Sequence, residues 1–76
     1  MKRSNIVEFI SEQLNITLDE LYDEATLDEL GMDEITVSEL IYAINDKYEM
    51  EMEDEDFADC ETLGDFVDTV IESAEE

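Results

Sequence analysis

Twenty-five Asp and Glu side chains and no histidine set the terms on which this chain could do chemistry. Paired carboxylates can act as general acid and base, but here acids are so dense that no pair stands out. The usual proton shuttle and the usual imidazole metal ligand are both missing. Cys60 is the only cysteine, so it has no disulfide partner within the chain, and a thiolate metal site has no second sulfur. No Gly-rich phosphate loop, Ser/His pair or Cys/His pair occurs in the sequence. The acid run from Glu49 to Asp59 invites comparison with a calcium loop, which needs oxygen ligands at its first, third and fifth positions and Gly at the sixth. Counted from Asp54, the third position is Asp56, but the fifth is Ala58 and the sixth is Asp59. That motif fails, and no specific metal site is expected. Weak, structural binding of divalent cations by clustered carboxylates is what remains, and the residue types argue against an enzyme.

A surface of this kind selects its partners by charge. Against the acids stand only Lys2, Arg3 and Lys47, for a formal net charge of −22 in 76 residues. Such a chain repels nucleic acid and anionic membranes and attracts basic protein patches and divalent cations. Hydrophobic residues make up 43% of it, too many for a disordered acidic tail, and enough for one small core. Met1-Lys2-Arg3 is not followed by an apolar stretch, and no apolar run is long enough to span a bilayer. The expectation is a single domain over residues 1–76, cytoplasmic and monomeric, with neither a nucleic-acid nor a membrane partner.

The elements that must position the acids are helices. There is no proline and glycine occurs twice, a composition for helices joined by short polar loops. A first helix is predicted from Ser4 or Asn5, with Asn5 and Glu8 at capping-box spacing and Ile6, Val7, Ile10 and Leu14 on one face. The connection from Asn15 to Met32 holds two more such pairs, Thr17/Glu20 and Thr26/Glu29. Each can nucleate a single turn with Leu18, Leu21, Leu27 and Leu30 inward, and Gly31 suits a turn-ending residue with positive φ. Asp33 is a good N-cap for a central helix whose stripe is Val37, Leu40, Ile41, Ile44 and Tyr48. Thr62 with Asp65 caps a last helix with the stripe Leu63, Phe66, Val67, Val70, Ile71 and Ala74. Between them, Met50, Met52 and Phe57 anchor an acid-rich segment with one short helix. Amphipathic helices of this size bury their stripes only against each other, so the fold class is all-α, a small up-down four-helix bundle of three main helices and a short third one.

The run Leu30-Gly31-Met32-Asp33-Glu34-Ile35, continuing into Thr36-Val37-Ser38-Glu39-Leu40, resembles the signature of acyl carrier proteins. In that family a Leu-Gly-x-Asp-Ser-Leu motif opens the second helix. Glu12-Gln13-Leu14 is similar to the end of the family's first helix, Glu49 to Asp56 to its acidic loop, and Thr62 to Ile71 to its last helix. The likeness covers almost the whole chain and implies the same bundle. It also implies 4′-phosphopantetheine as prosthetic group, joined through a phosphodiester to the serine of Asp-Ser-Leu. At that position this sequence has Glu34, which has no hydroxyl, so no cofactor is expected there. In the acidic loop, the family's usual proline before the third helix is Glu53.

Other serines offer little. Ser38 lies one turn along the same helix, toward its exposed flank, within Val-Ser-Glu; Ser4, Ser11 and Ser73 have no comparable setting. Cys60 matches an apolar core position of the family. Glu34 reads first as an acid in a helical first turn, where the backbone dipole favours negative charge; imitation of a charged phosphoserine stub is the alternative reading. At 100° per residue, Ile35, Glu39, Tyr42, Asp46 and Glu49 lie opposite the buried stripe of the central helix. Two exposed apolar residues framed by acids suit a basic, partly apolar partner. The resemblance implies that this is the recognition helix, with acids matching at Glu39 and Asp46, Tyr42 in place of an aliphatic residue, and Lys47 interrupting the acidic run.

The resemblance therefore implies a non-enzymatic protein of fatty-acid or polyketide-type metabolism. It would dock to carrier-recognising synthases, transferases or regulators through Ile35, Glu39, Tyr42 and Asp46, with Asp33 and Glu34 at the empty attachment position. The alternatives are a working carrier, substituted at position 34 or modified elsewhere, an acidic nucleic-acid mimic, and a divalent-ion binder.

Overall fold

The computed structural model describes residues 2–75. Three α-helices dominate: α1 (Arg3–Leu14), α2 (Glu34–Tyr48) and α3 (Leu63–Glu75), with 3-10 turns at Leu18–Glu20 and Asp54–Phe57 in the connections. The result is the small helical bundle expected, with the short third helix reduced to a single 3-10 turn. Glu53 and Asp56 close a capping box around that turn, each side chain accepting the other's backbone N–H.

Apolar spacing explains which faces meet. Ile6, Phe9 and Ile10 from α1, Leu40, Ile41 and Ile44 from α2, and Leu63, Phe66, Val67 and Val70 from α3 form one cluster. Leu21, Met32, Met52 and Phe57 from the connections close it. Phe57 lies 4.7 Å from Phe66 between ring centroids, so the second 3-10 turn is pinned by an aromatic pair rather than by its own short ladder. Among the described residues no polar or charged side chain is buried.

The connection from α1 to α2 is held by backbone bonds to the start of α3. Leu27 N–H donates to the Glu61 carbonyl (3.0 Å), and Leu63 N–H to that of Ala25 (2.8 Å). Thr26 and Thr62 thereby form an isolated antiparallel bridge. Next to it, Gly64 N–H donates to the Asp23 carbonyl at 3.0 Å. A Cβ on Gly64 would stand 3.1 Å from that oxygen, so a side chain there would push the Asp23 backbone back by a few tenths of an ångström. At the other end of the connection, Gly31 has φ +71°, and Met32 N–H reaches back to the Leu27 carbonyl, which closes the Thr26 turn and aims the chain into α2.

Several expectations are corrected. Helix α1 starts at Arg3 with Lys2 as its N-cap, without a side-chain cap; Asn5 and Glu8 fall inside it. Arg3, the first helical residue, is ion-paired with Asp23 and Asp68. Thr17 makes no side-chain cap on its 3-10 turn, and Leu18, expected inward, is 52% exposed. Thr26/Glu29 does form the reciprocal box, with 3.1 and 3.2 Å bonds. Ala74, placed in the last stripe, is exposed. Cys60, matched to an apolar core position, is half-buried and packs against the edge of the core. Glu49 lies beyond α2 as its C-cap in the left-handed region, φ 55°, and so does not extend the outer face of that helix.

Candidate functional site

The mouth of α2 is built by Asp33. Its extended backbone ends the connection, and its carboxylate accepts the Thr36 backbone N–H at 2.8 Å. That hydrogen bond holds the Asp33 carboxyl below its ordinary range, because donation to the charged form favours ionisation. Glu34, the first helical residue, is exposed and lies where the free N–H groups of the first turn favour negative charge.

Behind Glu34 a groove opens between α2 and the second 3-10 turn. Met32, Val37 and Phe57 give it an apolar floor, and Glu34, Ser38 and Asp54 stand along it. Ser38, half-buried, donates its hydroxyl to Asp54 Oδ2 at 2.7 Å. Cys60 also lines the groove. Burial pushes its thiol up, against a weaker opposite effect of the Thr69 hydroxyl 3.5 Å away, so it is a neutral thiol and a poor nucleophile near neutral pH.

The outer face of α2 carries Ile35 at 70% exposure and Tyr42 at 68%, with Glu39 and Asp46 also exposed. Lys47 turns away from this face. Its ammonium stands 4.8 Å from the Phe9 ring centroid and 5.9 Å from that of Tyr48, so the cation is committed to the α1 side of the bundle. Sequence reasoning missed Phe9 in the α1 stripe, although it lies three residues after Ile6; the ring is buried and packs edge-on against Tyr48 at 6.4 Å. It also missed the Asp54 partner of Ser38, sixteen residues away, for which no local pattern exists. Among the described residues no group of three or more acids or thiols is placed to hold a metal ion, and no helix is long and apolar enough to cross a membrane.

The outer face of α2 is thus an open acidic surface on a small helical bundle, beside a groove with an apolar floor. The chain matches the family described as "Phosphopantetheine attachment site" over residues 4–70. Among curated relatives, the acyl carrier protein of Clostridium perfringens is 39% identical over 69 residues, covering 90% of this chain and 91% of that protein. That of Wolinella succinogenes is 36% identical over 64 residues, covering 83% and 84%, and that of Clostridium acetobutylicum 32% over 72 residues, covering 93% and 94%. The chain belongs to the acyl carrier protein family, whose members are carriers and not enzymes.

The family's prosthetic group, 4′-phosphopantetheine, needs a hydroxyl for its phosphodiester. At the mouth of α2 the residues Asp33 and Glu34 offer only carboxylates, which do not fit that linkage. The nearest hydroxyl along the helix face, Ser38, is half-buried and already donated to Asp54.

Proposed function

We propose that this protein docks to enzymes or regulators that recognise acyl carrier proteins, in fatty-acid or polyketide-type metabolism, and bears no prosthetic arm at residue 34. The observation that carries the reading is an exposed carboxylate, Glu34, in the capped first turn of α2, inside a chain that matches 91% of the length of a curated acyl carrier protein. Docking would run through Ile35, Glu39, Tyr42 and Asp46, against a basic and partly apolar partner surface in the cytoplasm. The exposure of all four residues and the withdrawal of Lys47 support this use of the face.

A second reading, a working carrier loaded elsewhere, is favoured by the position of Ser38, which lines the same groove as Glu34 one turn along.

One experiment tests both. The native chain and a Glu34→Ser variant are incubated with coenzyme A and a promiscuous pantetheinyl transferase, and intact mass is read. Only the variant is expected to gain about 340 Da, the mass of the phosphopantetheine group. A gain on the native chain would establish a carrier loaded at another serine. Modification of neither would overturn the docking reading and favour an acidic mimic or ion binder.

A further inference from the structure

We infer that Glu34 makes this chain a permanent imitation of a loaded carrier, one that inhibits the enzyme transferring phosphopantetheine from coenzyme A to acyl carrier proteins. The inference rests on the docking reading above and names the partner. The family matched over residues 4–70 is described by that attachment, yet the residue at the mouth of α2 is a carboxylate standing free. The Asp33 carboxylate is taken up by the Thr36 N–H, which holds the first turn of α2 closed and fixes the backbone from which Glu34 projects. Among the described residues the ion pairs are those of Arg3 with Asp23 and Asp68. Glu34 is exposed at the edge of the groove between α2 and the second 3-10 turn.

Counting bonds outward from Cα shows what this side chain resembles. In a loaded serine the third atom is phosphorus, bearing two free oxygens that share one negative charge. In Glu34 the third atom is the carboxyl carbon, also with two oxygens sharing one charge. A phosphate monoester would carry more charge than a carboxylate, whereas the diester of a loaded carrier carries the same. Enzymes of phosphoryl transfer surround the transferred group with cations and N–H donors already fixed in place. A docked chain would set the Glu34 carboxylate among those donors, in the space that the phosphate of coenzyme A otherwise fills. The choice of partner follows from the missing arm. Enzymes that act on a loaded carrier hold its arm and cargo, and residue 34 presents neither. The loading enzyme takes the bare domain as its substrate, so it is the one whose recognition this chain satisfies.

In the test the Glu34→Ser variant is the substrate of a pantetheinyl transferase with coenzyme A, and its mass gain is followed in time. The native chain, Glu34→Gln and Glu34→Asp are added as inhibitors at fixed ionic strength. The native chain should inhibit at least about tenfold more strongly than Glu34→Gln, which keeps the shape and loses the charge. Glu34→Asp, with its charge one bond short, should likewise be weaker. Raising coenzyme A should relieve inhibition by the native chain. Equal inhibition by the native chain and Glu34→Gln, inhibition that coenzyme A does not relieve, or a mass gain on the native chain would each overturn the inference. Loading of Glu34→Ser without inhibition by the native chain would overturn this inference alone and leave the docking reading standing. No loading of Glu34→Ser would overturn both.

Discussion

Asp33, as the N-cap of α2, and Asp65, reaching back from the first turn of α3, both take up free backbone N–H groups at a helix start, and both betray it in their acidity. The Asp33 carboxyl is held down by the Thr36 backbone N–H, that of Asp65 by the Glu61 and Thr62 backbone N–H groups. A carboxyl with a depressed folded pKa adds stability above its unfolded value and loses it as pH falls through the folded one. For these two residues the loss therefore lies below the ordinary carboxylate value of 3.8. Asparagine caps a helix as well as aspartate but does not titrate there. In melting curves from pH 7 to pH 2, Asp33→Asn with Asp65→Asn should show a shallower fall below about pH 4 than the parent chain; parallel curves would mean that the caps contribute nothing through their charge. These caps were legible in the sequence because a side chain and a backbone group three residues apart need nothing else to meet. Asn5 and Glu8 had the same spacing and failed as a cap. The helix begins instead at Arg3, whose guanidinium reaches Asp23 and Asp68, and local spacing carries no trace of such contacts.

Between α2 and the second 3-10 turn, one side chain does most of the tethering. The Asn45 amide donates to the Met52 carbonyl and its oxygen accepts the Met52 N–H, both at 3.0 Å in a half-buried setting. Asn45→Ala would leave both backbone groups short of a partner, a loss of about 1–3 kcal/mol. Hydrogen exchange at residues 50–57 should accelerate more than exchange in α1 and α3. Ser38→Ala, which frees only the more exposed Asp54 contact, should do less, and the reverse order would mean that Ser38 is the principal tether. Helix periodicity made the three long elements legible, since Leu40, Ile41, Ile44, Phe66, Val67 and Val70 are all buried as their spacing required. It was weaker in single turns, where too few residues define a face. Leu18 was assigned inward on that basis, while the structure buries Leu21 and Ala25 and leaves Leu18 out. Ala74 shows the other limit: a stripe tells which face is apolar but not how far the opposing surface extends. For the candidate site, the exposed face of α2 followed from rotation about its axis. The groove beside it did not, because it needs the second 3-10 turn to be placed in space.

A net charge of −22 on a body only 28 × 22 × 18 Å makes the whole molecule sensitive to screening. At 0.01 M salt the Debye length is about 30 Å, and every carboxylate senses nearly all the others; at physiological salt it is about 8 Å, and only neighbours matter. Folding gathers these charges, so low salt favours the expanded chain. Screening also weakens the ion pairs of Arg3, but those are exposed and worth little. The repulsive sum therefore wins, and the melting temperature should rise between 10 and 150 mM NaCl, and rise further with a few millimolar Mg²⁺ at constant ionic strength. A flat salt response would show that the acids are already compensated. Salt acts in the opposite direction on the proposed association, because the same field would steer a basic partner to the α2 face. Raising salt should slow the on-rate of a docking partner while the fold itself becomes firmer. Tyr42→Ala at fixed salt should instead speed dissociation, since it removes a local contact and leaves the net charge untouched. A partner whose affinity follows salt alone and ignores Tyr42 would be responding to the charge and not to the helix, as expected of a nucleic-acid mimic.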